Sequence, residues 1–173
     1  MNADAPFIIT AQLPPDLGRW ATRLRTAHFP PERNFLDAHV TLFHSLPPSC
    51  AGEIKTALAS LTAEYAPVNA CLEGVMPLGK GTALRIASPA MLDVWRDLAD
   101  RFFGLLTPQD EHAPQLHVTV QNKVSIEEAK ALQTQLSLSI EPRAFRFAGL
   151  SLYIYRGGPW ELVRIYPFRG KHG

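Results

Sequence analysis

One short pattern occurs twice in this chain and constrains its fold more than any other feature. The segments HVTL (39–42) and HVTV (117–120) each contain a histidine and a threonine two residues apart, separated and followed by aliphatic residues. Because successive side chains of a β-strand point to opposite faces, each histidine shares a face with its threonine, and the aliphatic residues share the other face. The pattern therefore predicts two half-buried strands, each presenting a His-Thr pair to an open, solvated surface.

The segments around the two motifs repeat in the same order: strand, helix, His-Thr strand, helix, strand. Hydrophobic periodicity and the positions of proline and glycine set their boundaries. The first copy comprises strand 7–13, helix 15–29, strand 39–46, helix 50–65 and strand 68–78, and the second comprises strand 82–88, helix 89–106, strand 116–121, a helix with Ser125 as N-cap, and a terminal hairpin formed by 143–156 and 160–168. This duplication predicts the α+β class and a single bilobal domain over residues 1–173, with duplicated units at roughly 6–78 and 82–168.

Charge and composition restrict the partners that the chain can bind. Its content of 46% hydrophobic residues is typical of a globular protein. With 17 basic and 16 acidic residues the net charge is only +1, so the chain as a whole has no strong positive potential that would attract nucleic acid or an anionic membrane. Cys50 and Cys71 lack the spacing of a metal site, and the N-terminal segment lacks the features of a signal peptide. No run approaches the ~18 apolar residues of a membrane span. We therefore expect a soluble, cytoplasmic protein in which any binding of an anion depends on local groups rather than on the net charge.

Two histidines that face one groove are suited to acid–base chemistry on a phosphodiester. With an unperturbed pKa of ~6.5, one imidazole can be neutral while the other is protonated. The neutral ring takes a proton from the attacking water or hydroxyl, and the protonated ring gives one to the departing ribose oxygen. The hydroxyls of Thr41 and Thr119 can donate hydrogen bonds to the non-bridging oxygens. The sequence contains no acidic cluster of the kind that holds a metal, so we expect neither a metal nor another cofactor.

The paired motifs resemble the H-x-T-hydrophobic signatures of the two-histidine phosphoesterases, which include LigT-like RNA 2′,5′-ligases and cyclic phosphodiesterases. The resemblance covers nearly the whole chain, although Val120 stands where leucine is commoner. It implies two pseudo-symmetric lobes, each an antiparallel sheet with helices on its outer face, around a central groove. It also implies that His39 and His117 are the acid–base pair and that Thr41 and Thr119 bind phosphate. The substrates that it implies are 2′,3′-cyclic phosphates at RNA ends, cyclic phosphates derived from ADP-ribose, or 2′,5′ linkages.

Three further residues are candidates for binding the substrate. Arg85 alternates with apolar neighbours and is expected on the open face of its strand, either as a cationic groove residue or as an ordinary exposed arginine. Lys123 follows the second motif and either neutralises a phosphate or is a plain surface lysine. Tyr153 belongs to a row that can stack a nucleobase, although aromatic residues also simply favour strands. By alternation, His44 is predicted on the face opposite His39, as a structural or rim residue.

Together these observations predict a metal-independent phosphoesterase that hydrolyses RNA-type phosphodiesters, above all 2′,3′-cyclic phosphates. The same groups can run 2′,5′ RNA ligation as the reverse reaction. The expected partners are RNA ends or small cyclic nucleotides and no membrane, and we expect a monomer. Two other functions remain open: a non-catalytic RNA- or nucleotide-binding module that uses the same groove, and a metal-dependent hydrolase with paired histidines.

Overall fold

The computed structural model describes residues 5–171; residues 1–4 and 172–173, which the predicted domain includes, lie outside the described part of the chain. Strands and helices follow each other in the order β1 (Phe7–Gln12), α1 (Pro15–His28), β2 (Val40–Leu46), α2 (Ala51–Glu64), β3 (Val68–Pro77), β4 (Thr82–Ala87), α3 (Pro89–Arg101), β5 (His117–Gln121), α4 (Ile126–Ser139), β6 (Arg143–Phe147), β7 (Gly149–Tyr155) and β8 (Trp160–Pro167). The predicted helix 89–106 ends early, at Arg101, and the chain turns at Gly104, which has a φ of 85°.

The strands form two four-stranded antiparallel sheets. The first has the order β2-β1-β7-β8 and the second has the order β5-β4-β3-β6. The two His-Thr strands therefore occupy the same edge position in their sheets, and these two edges touch each other. Helix α1 packs against β5, α2 against β7 and β8, and both α3 and α4 against β3. The predicted α+β class with two antiparallel lobes is confirmed.

The two sheets do not coincide with the units predicted at 6–78 and 82–168. Strand β3 comes from the first unit but joins the second sheet, whereas β7 and β8 come from the second unit and complete the first sheet. The predicted order of strand, helix, His-Thr strand, helix and strand does occur twice, but only the first two strands of each copy hold equivalent positions in the two sheets. The last strand of each copy belongs to the second sheet, so the lobes are built from interleaved parts of the sequence.

The predicted strand 143–156 is divided at Ala148 for the same reason. Phe147 ends the strand that pairs with β3, and Gly149 begins the strand that pairs with β1 and β8. Gly149 also marks a close approach of two backbones, because a Cβ atom there would lie 2.4 Å from the carbonyl oxygen of Tyr166. Only a glycine fits at the point where the chain moves from one sheet to the other.

One hydrophobic core joins the two lobes. The aliphatic residues of the His-Thr motifs belong to it: Val40, Leu42, Val118 and Val120 are all at most 1% exposed. The histidines and threonines between them are half-buried. The alternation predicted for the two motifs is thus confirmed. Among residues 5–171, no helix is both long and apolar enough to cross a bilayer.

Candidate functional site

Each motif histidine is held by the backbone of the loop that precedes its strand. Nδ1 of His39 lies 2.8 Å from the carbonyl oxygen of Asp37, and Nδ1 of His117 lies 2.6 Å from the carbonyl oxygen of Gln115. Because a carbonyl oxygen can only accept, Nδ1 carries a proton in both rings, and Nε2 is the acceptor whenever the ring is neutral. The duplicated strands thus hold two imidazoles in the same way, each with Nε2 available for chemistry.

The two histidines share one site at the junction of the sheets, which we call the groove. They stand at the beginning of β2 and β5, the edge strands that touch each other. The positive charge of His117 lowers the pKa of His39, so the rings are near enough to interact electrostatically. Thr41 and Thr119 lie two residues further on, half-buried and on the same faces as their histidines. The four motif residues are therefore brought to the groove.

The environment of His39 keeps its imidazole neutral. Burial is the main cause, and it lowers the pKa of His39 to about 4 because the charged ring loses its hydration. The hydrogen bond to Asp37 acts in the opposite direction, whereas the charges of Arg25, His117 and His44 lower this pKa further. At neutral pH the ring is unprotonated at Nε2, which is the state that a general base requires.

Arg25 is part of this site, although no sequence motif singles it out. It is 4% exposed, and its guanidinium donates to the carbonyl oxygen of Thr119 and to Oδ1 of Asn34, both at 2.9 Å, while covering the ring of Phe29 at 4.0 Å. Burial lowers its pKa to about 10 despite the nearby charge of Asp37, so it remains a cation at neutral pH. Its position in the sequence could have indicated that it is buried, because Arg25 follows Leu17 and Ala21, two buried residues of α1, at intervals of four.

An aromatic cavity adjoins His39. The ring of Trp160 lies with its centroid 4.7 Å from that of His39 and 5.6 Å from that of Tyr153. These three rings and Phe35 line a space of about 220 Å³. Burial, followed by the charge of Asp37, raises the pKa of the Tyr153 hydroxyl, which keeps it a hydrogen-bond donor. Tyr153 and His39 thus line the same cavity. The sequence did not indicate that Trp160 and Phe35 lie here, because the position of Trp160 depends on the register of the β7-β8 hairpin and that of Phe35 on the conformation of the loop before β2.

Arg85 and Lys123 lie at different ends of the second sheet. Arg85 is directly opposite His117 in the pairing of β4 with β5, so the two side chains point to the same face. It also lines a cavity of about 350 Å³ that includes Gln115, next to the motif. Lys123 lies beyond Gln121, at the end of β5 away from His117, in a turn where it adopts a φ of 58°. Arg85 is brought beside His117, and Lys123 is not.

His44 does not lie on the face opposite His39, as alternation predicted. Two successive residues of β1 face residues of β2 that are two apart, Thr41 and Phe43, so β2 contains a bulge here. Leu42 and Phe43 are consequently both buried, and the alternation shifts by one residue beyond them. This shift returns the exposed His44 side chain to the side of Thr41, where its charge lowers the pKa of His39.

Asp110, in the loop between α3 and β5, holds His44 in place. Its carboxylate is 1% exposed and accepts hydrogen bonds from Nδ1 of His44 at 3.1 Å and from the backbone N–H groups of His44 and Ser45 at 2.9 Å. Burial raises the pKa of Asp110, but these hydrogen bonds outweigh burial and leave the pKa below its usual value. Asp110 thus caps the edge of β2, just as Arg25 caps the Thr119 carbonyl on β5.

Metal-binding clusters and reactive thiols are other groups that can carry chemistry. Within residues 5–171, no group of three or more histidine, cysteine, aspartate or glutamate side chains is arranged to hold a metal ion. Cys50 and Cys71 are free thiols, and both are partly buried. The functional groups near the two motif histidines are therefore imidazoles, hydroxyls, guanidinium groups, aromatic rings and the carboxylate of Asp37.

Comparison with known proteins assigns the family. Residues 13–159 match the model of the 2′-5′ RNA ligase superfamily. No curated protein sequence matches the chain. Among solved structures, TT0787 of Thermus thermophilus superposes with a TM-score of 0.67 at 14% identity, covering 96% of this chain and 100% of that chain. E. coli LigT complexed with 3′-AMP gives a TM-score of 0.62 at 16% identity, covering 95% and 98%. E. coli LigT complexed with NADP+ gives 0.60 at 12% identity, covering 96% and 99%.

At these identities the structural likeness establishes the fold, and the family model, which spans most of the chain, establishes the relationship. Both agree with the resemblance inferred from the two His-Thr motifs. The chain belongs to the 2′-5′ RNA ligase superfamily.

Proposed function

We propose that this protein is a metal-independent phosphoesterase that opens 2′,3′-cyclic phosphates of the RNA type. One observation carries the proposal: both motif histidines donate Nδ1–H to a backbone carbonyl two residues earlier, which leaves two Nε2 atoms free at a shared groove. A general base and a general acid are the groups that hydrolysis of a phosphodiester needs, and imidazoles supply both near neutral pH.

His39 is the general base in this mechanism, because its low pKa keeps it neutral before the substrate binds. Nε2 of His39 takes a proton from water as the water oxygen attacks phosphorus. The bond from phosphorus to one ribose oxygen breaks, and the protonated His117 delivers its proton to that oxygen. The products are a terminal phosphomonoester and a free ribose hydroxyl. If the 5′-hydroxyl of a second RNA end attacked phosphorus in place of water, His39 would take its proton, the bond from phosphorus to the 3′ oxygen would break, and His117 would protonate that oxygen. The product would be a 2′,5′ linkage and a free 3′-hydroxyl.

The groups around the histidines can stabilise the phosphate in the transition state. Thr41 and Thr119 can donate hydrogen bonds to the two non-bridging oxygens, where negative charge grows in the transition state. Arg85 shares the face of His117 and can neutralise the phosphate from the side of the second lobe. These contributions would make the site specific for a phosphodiester rather than for a carboxylic ester, because two oxygens must be held at once.

The aromatic cavity supports a nucleotide as the substrate. Tyr153, Trp160 and Phe35 can stack a nucleobase beside His39, and such stacking contributes roughly 1–3 kcal/mol per base. The E. coli LigT structure that shares this fold was complexed with 3′-AMP, a nucleotide with its phosphate on the ribose. A nucleoside 2′,3′-cyclic phosphate would yield a nucleotide of this kind when the bond to the 2′ oxygen breaks.

Separate replacement of His39 and His117 by alanine tests the proposal. We expect kcat for adenosine 2′,3′-cyclic phosphate to fall at least about 100-fold in each variant, because a positioned acid or base contributes roughly 10²–10⁴. Calorimetric affinity for 3′-AMP should change little, since the rings of Tyr153, Trp160 and Phe35 remain in both variants. His112→Ala, in an exposed loop, is the matched control and should keep wild-type kcat. Nucleotide binding without turnover by the intact protein would instead identify a binding module.

A further inference from the structure

A second cavity beside His39 is larger than the reacting phosphate requires. It measures about 620 Å³ and lies between α1 and the groove face of the first sheet, with Thr10, Ser151 and Tyr153 on the sheet side. This volume falls in the usual range for sites that enclose a small molecule. The cyclic phosphate would occupy only the end next to His39, so most of this space is available to another part of the substrate.

Two arginines give this cavity its charge. Arg19 and Arg23 both line it, and their spacing of four places them one turn apart on the same side of α1. Both are exposed, and neither forms an ion pair with a carboxylate of residues 5–171. Asp16, the acidic residue of α1, is bonded to Arg143 instead. Two neighbouring cations without an acidic partner can bind an anion held between them.

Asp37 is the acidic residue that lines the same cavity. Its charge acts on groups at the His39 end, since it raises the pKa of both Arg25 and Tyr153. The cavity therefore has a mixed end near the reacting phosphate and a basic end at Arg19 and Arg23. An anionic group at the basic end would belong to a part of the substrate other than the reacting phosphate.

The aromatic cavity lies on another side of His39 and shares Asp37, Ala38, His39 and Tyr153 with the basic cavity. A nucleotide with its cyclic phosphate at His39 could therefore direct its base toward Trp160 and its 5′ oxygen toward α1. With the base in the aromatic cavity, the cavity lined by Arg19 and Arg23 is available to the 5′ substituent of the ribose.

We propose that Arg19 and Arg23 bind a second phosphate of the substrate, attached to the 5′ oxygen of the ribose whose cyclic phosphate reacts. The preferred substrates would then be RNA 3′ ends or 5′-phosphorylated nucleotides rather than simple nucleoside cyclic phosphates. This inference rests on the proposed function for the identity of the first phosphate. The arginines bind and position the substrate and take no part in proton transfer.

Three substrates that differ only at the 5′ oxygen test the inference: adenosine 2′,3′-cyclic phosphate, the same compound with a 5′-phosphate, and the adenylyl dinucleotide with a cyclic end. We expect kcat/KM to be about tenfold higher for each 5′-substituted substrate in low salt, and the difference to shrink as salt screens the charges. A gain for the 5′-phosphate alone would identify mononucleotides as the substrates, and a gain for both would include RNA ends.

The double variant Arg19→Gln/Arg23→Gln should lose this preference and keep wild-type kcat/KM for adenosine 2′,3′-cyclic phosphate. Both side chains are exposed, so folding should be retained, and thermal melting checks this. Arg96→Gln on α3, also an exposed helical arginine, is the matched control and should keep the preference. Equal kcat/KM for all three substrates in the wild type, or an unchanged preference in the double variant, would overturn the inference while leaving the proposed function intact.

A binding measurement separates this inference from the proposed function. We expect the wild type to bind adenosine 3′,5′-bisphosphate about tenfold more tightly than 3′-AMP, and the double variant to bind both alike. If no substrate were turned over, the proposed function would fail, yet the bisphosphate preference would still show the second site. Equal affinities in the wild type would overturn the second site whatever the outcome for turnover.

Discussion

At the scale of single residues, burial is the main cause of the low pKa of His39, and the buried cation of Arg25 lowers this pKa further. Arg25 packs beneath the strand that carries Thr119, and its charge contributes to the low pKa of His39. A base must be neutral to act, so on the acid side catalysis declines only when the pH falls toward the pKa of that base. With a pKa of about 4 for His39, we expect the acid limb of the kcat/KM profile of the free enzyme to lie well below pH 6.

Replacing Arg25 by glutamine tests this dependence. The substitution removes a positive charge near His39, so protonation of the ring becomes easier and its pKa rises toward the ordinary value. We expect the acid limb of kcat/KM to move to higher pH, measured with adenosine 2′,3′-cyclic phosphate. Arg25→Lys keeps the charge and should leave the limb nearer to its wild-type position, although it loses the paired hydrogen bonds. An acid limb at the wild-type pH in Arg25→Gln would contradict this electrostatic role.

At the scale of elements, β2 is an edge strand, and two of its backbone N–H groups donate hydrogen bonds to a side chain of the other lobe. The Asp110 carboxylate accepts from two consecutive N–H groups of β2 and from the His44 ring. An edge strand whose backbone N–H and C=O groups are unpaired can pair with a strand of another chain and so promote aggregation. The contact therefore fixes both the lobe junction and the imidazole of His44.

Removal of this carboxylate should destabilise the protein strongly. In Asp110→Ala the backbone N–H groups of His44 and Ser45 lose the buried carboxylate that accepts from them. We expect a loss of about 2–4 kcal/mol in the free energy of unfolding, measured by urea denaturation at pH 7. The matched control is Asp93→Ala, which removes only an exposed ion pair with Arg96 and should change stability by less than ~0.5 kcal/mol. Similar losses in the two variants would show that Asp110 does not clamp the lobes.

The pH dependence of this effect has a definite sign. The pKa of Asp110 is lowered in the folded protein, so its carboxylate stabilises the fold above the unfolded pKa. This contribution is lost as the pH falls through the folded pKa. The difference between wild type and Asp110→Ala should therefore be constant near neutral pH and shrink only in strong acid.

The elements also show how far a sequence can predict this site. Both His-Thr strands could be predicted, because alternation within five residues depends on local pattern and burial alone. The position of His44 could not, because the bulge of β2 arises from its pairing with β1, which is distant in sequence. The role of Arg25 could not be predicted either, because its partner Thr119 lies on a strand that is distant in sequence and comes close only in the folded protein.

At the scale of the whole molecule, the repeat predicted the class and the pairing of two lobes but not the route of the chain. Apolar alternation in β3 and β7 indicates strands without saying which sheet they join. The interleaving has a consequence for the site, since neither lobe is a continuous half of the sequence. The two motif histidines are therefore positioned by one cooperative fold with a shared core.

The central claim is that this shared groove hydrolyses a phosphodiester by two imidazoles without a metal. Turnover of the four nucleoside 2′,3′-cyclic phosphates by the intact protein, with EDTA and with added Mg²⁺ or Zn²⁺, tests it most directly. We expect each substrate that is accepted to yield a nucleoside monophosphate at a rate that EDTA does not reduce and metal does not raise. A rate that disappears in EDTA and returns with metal would contradict the claim.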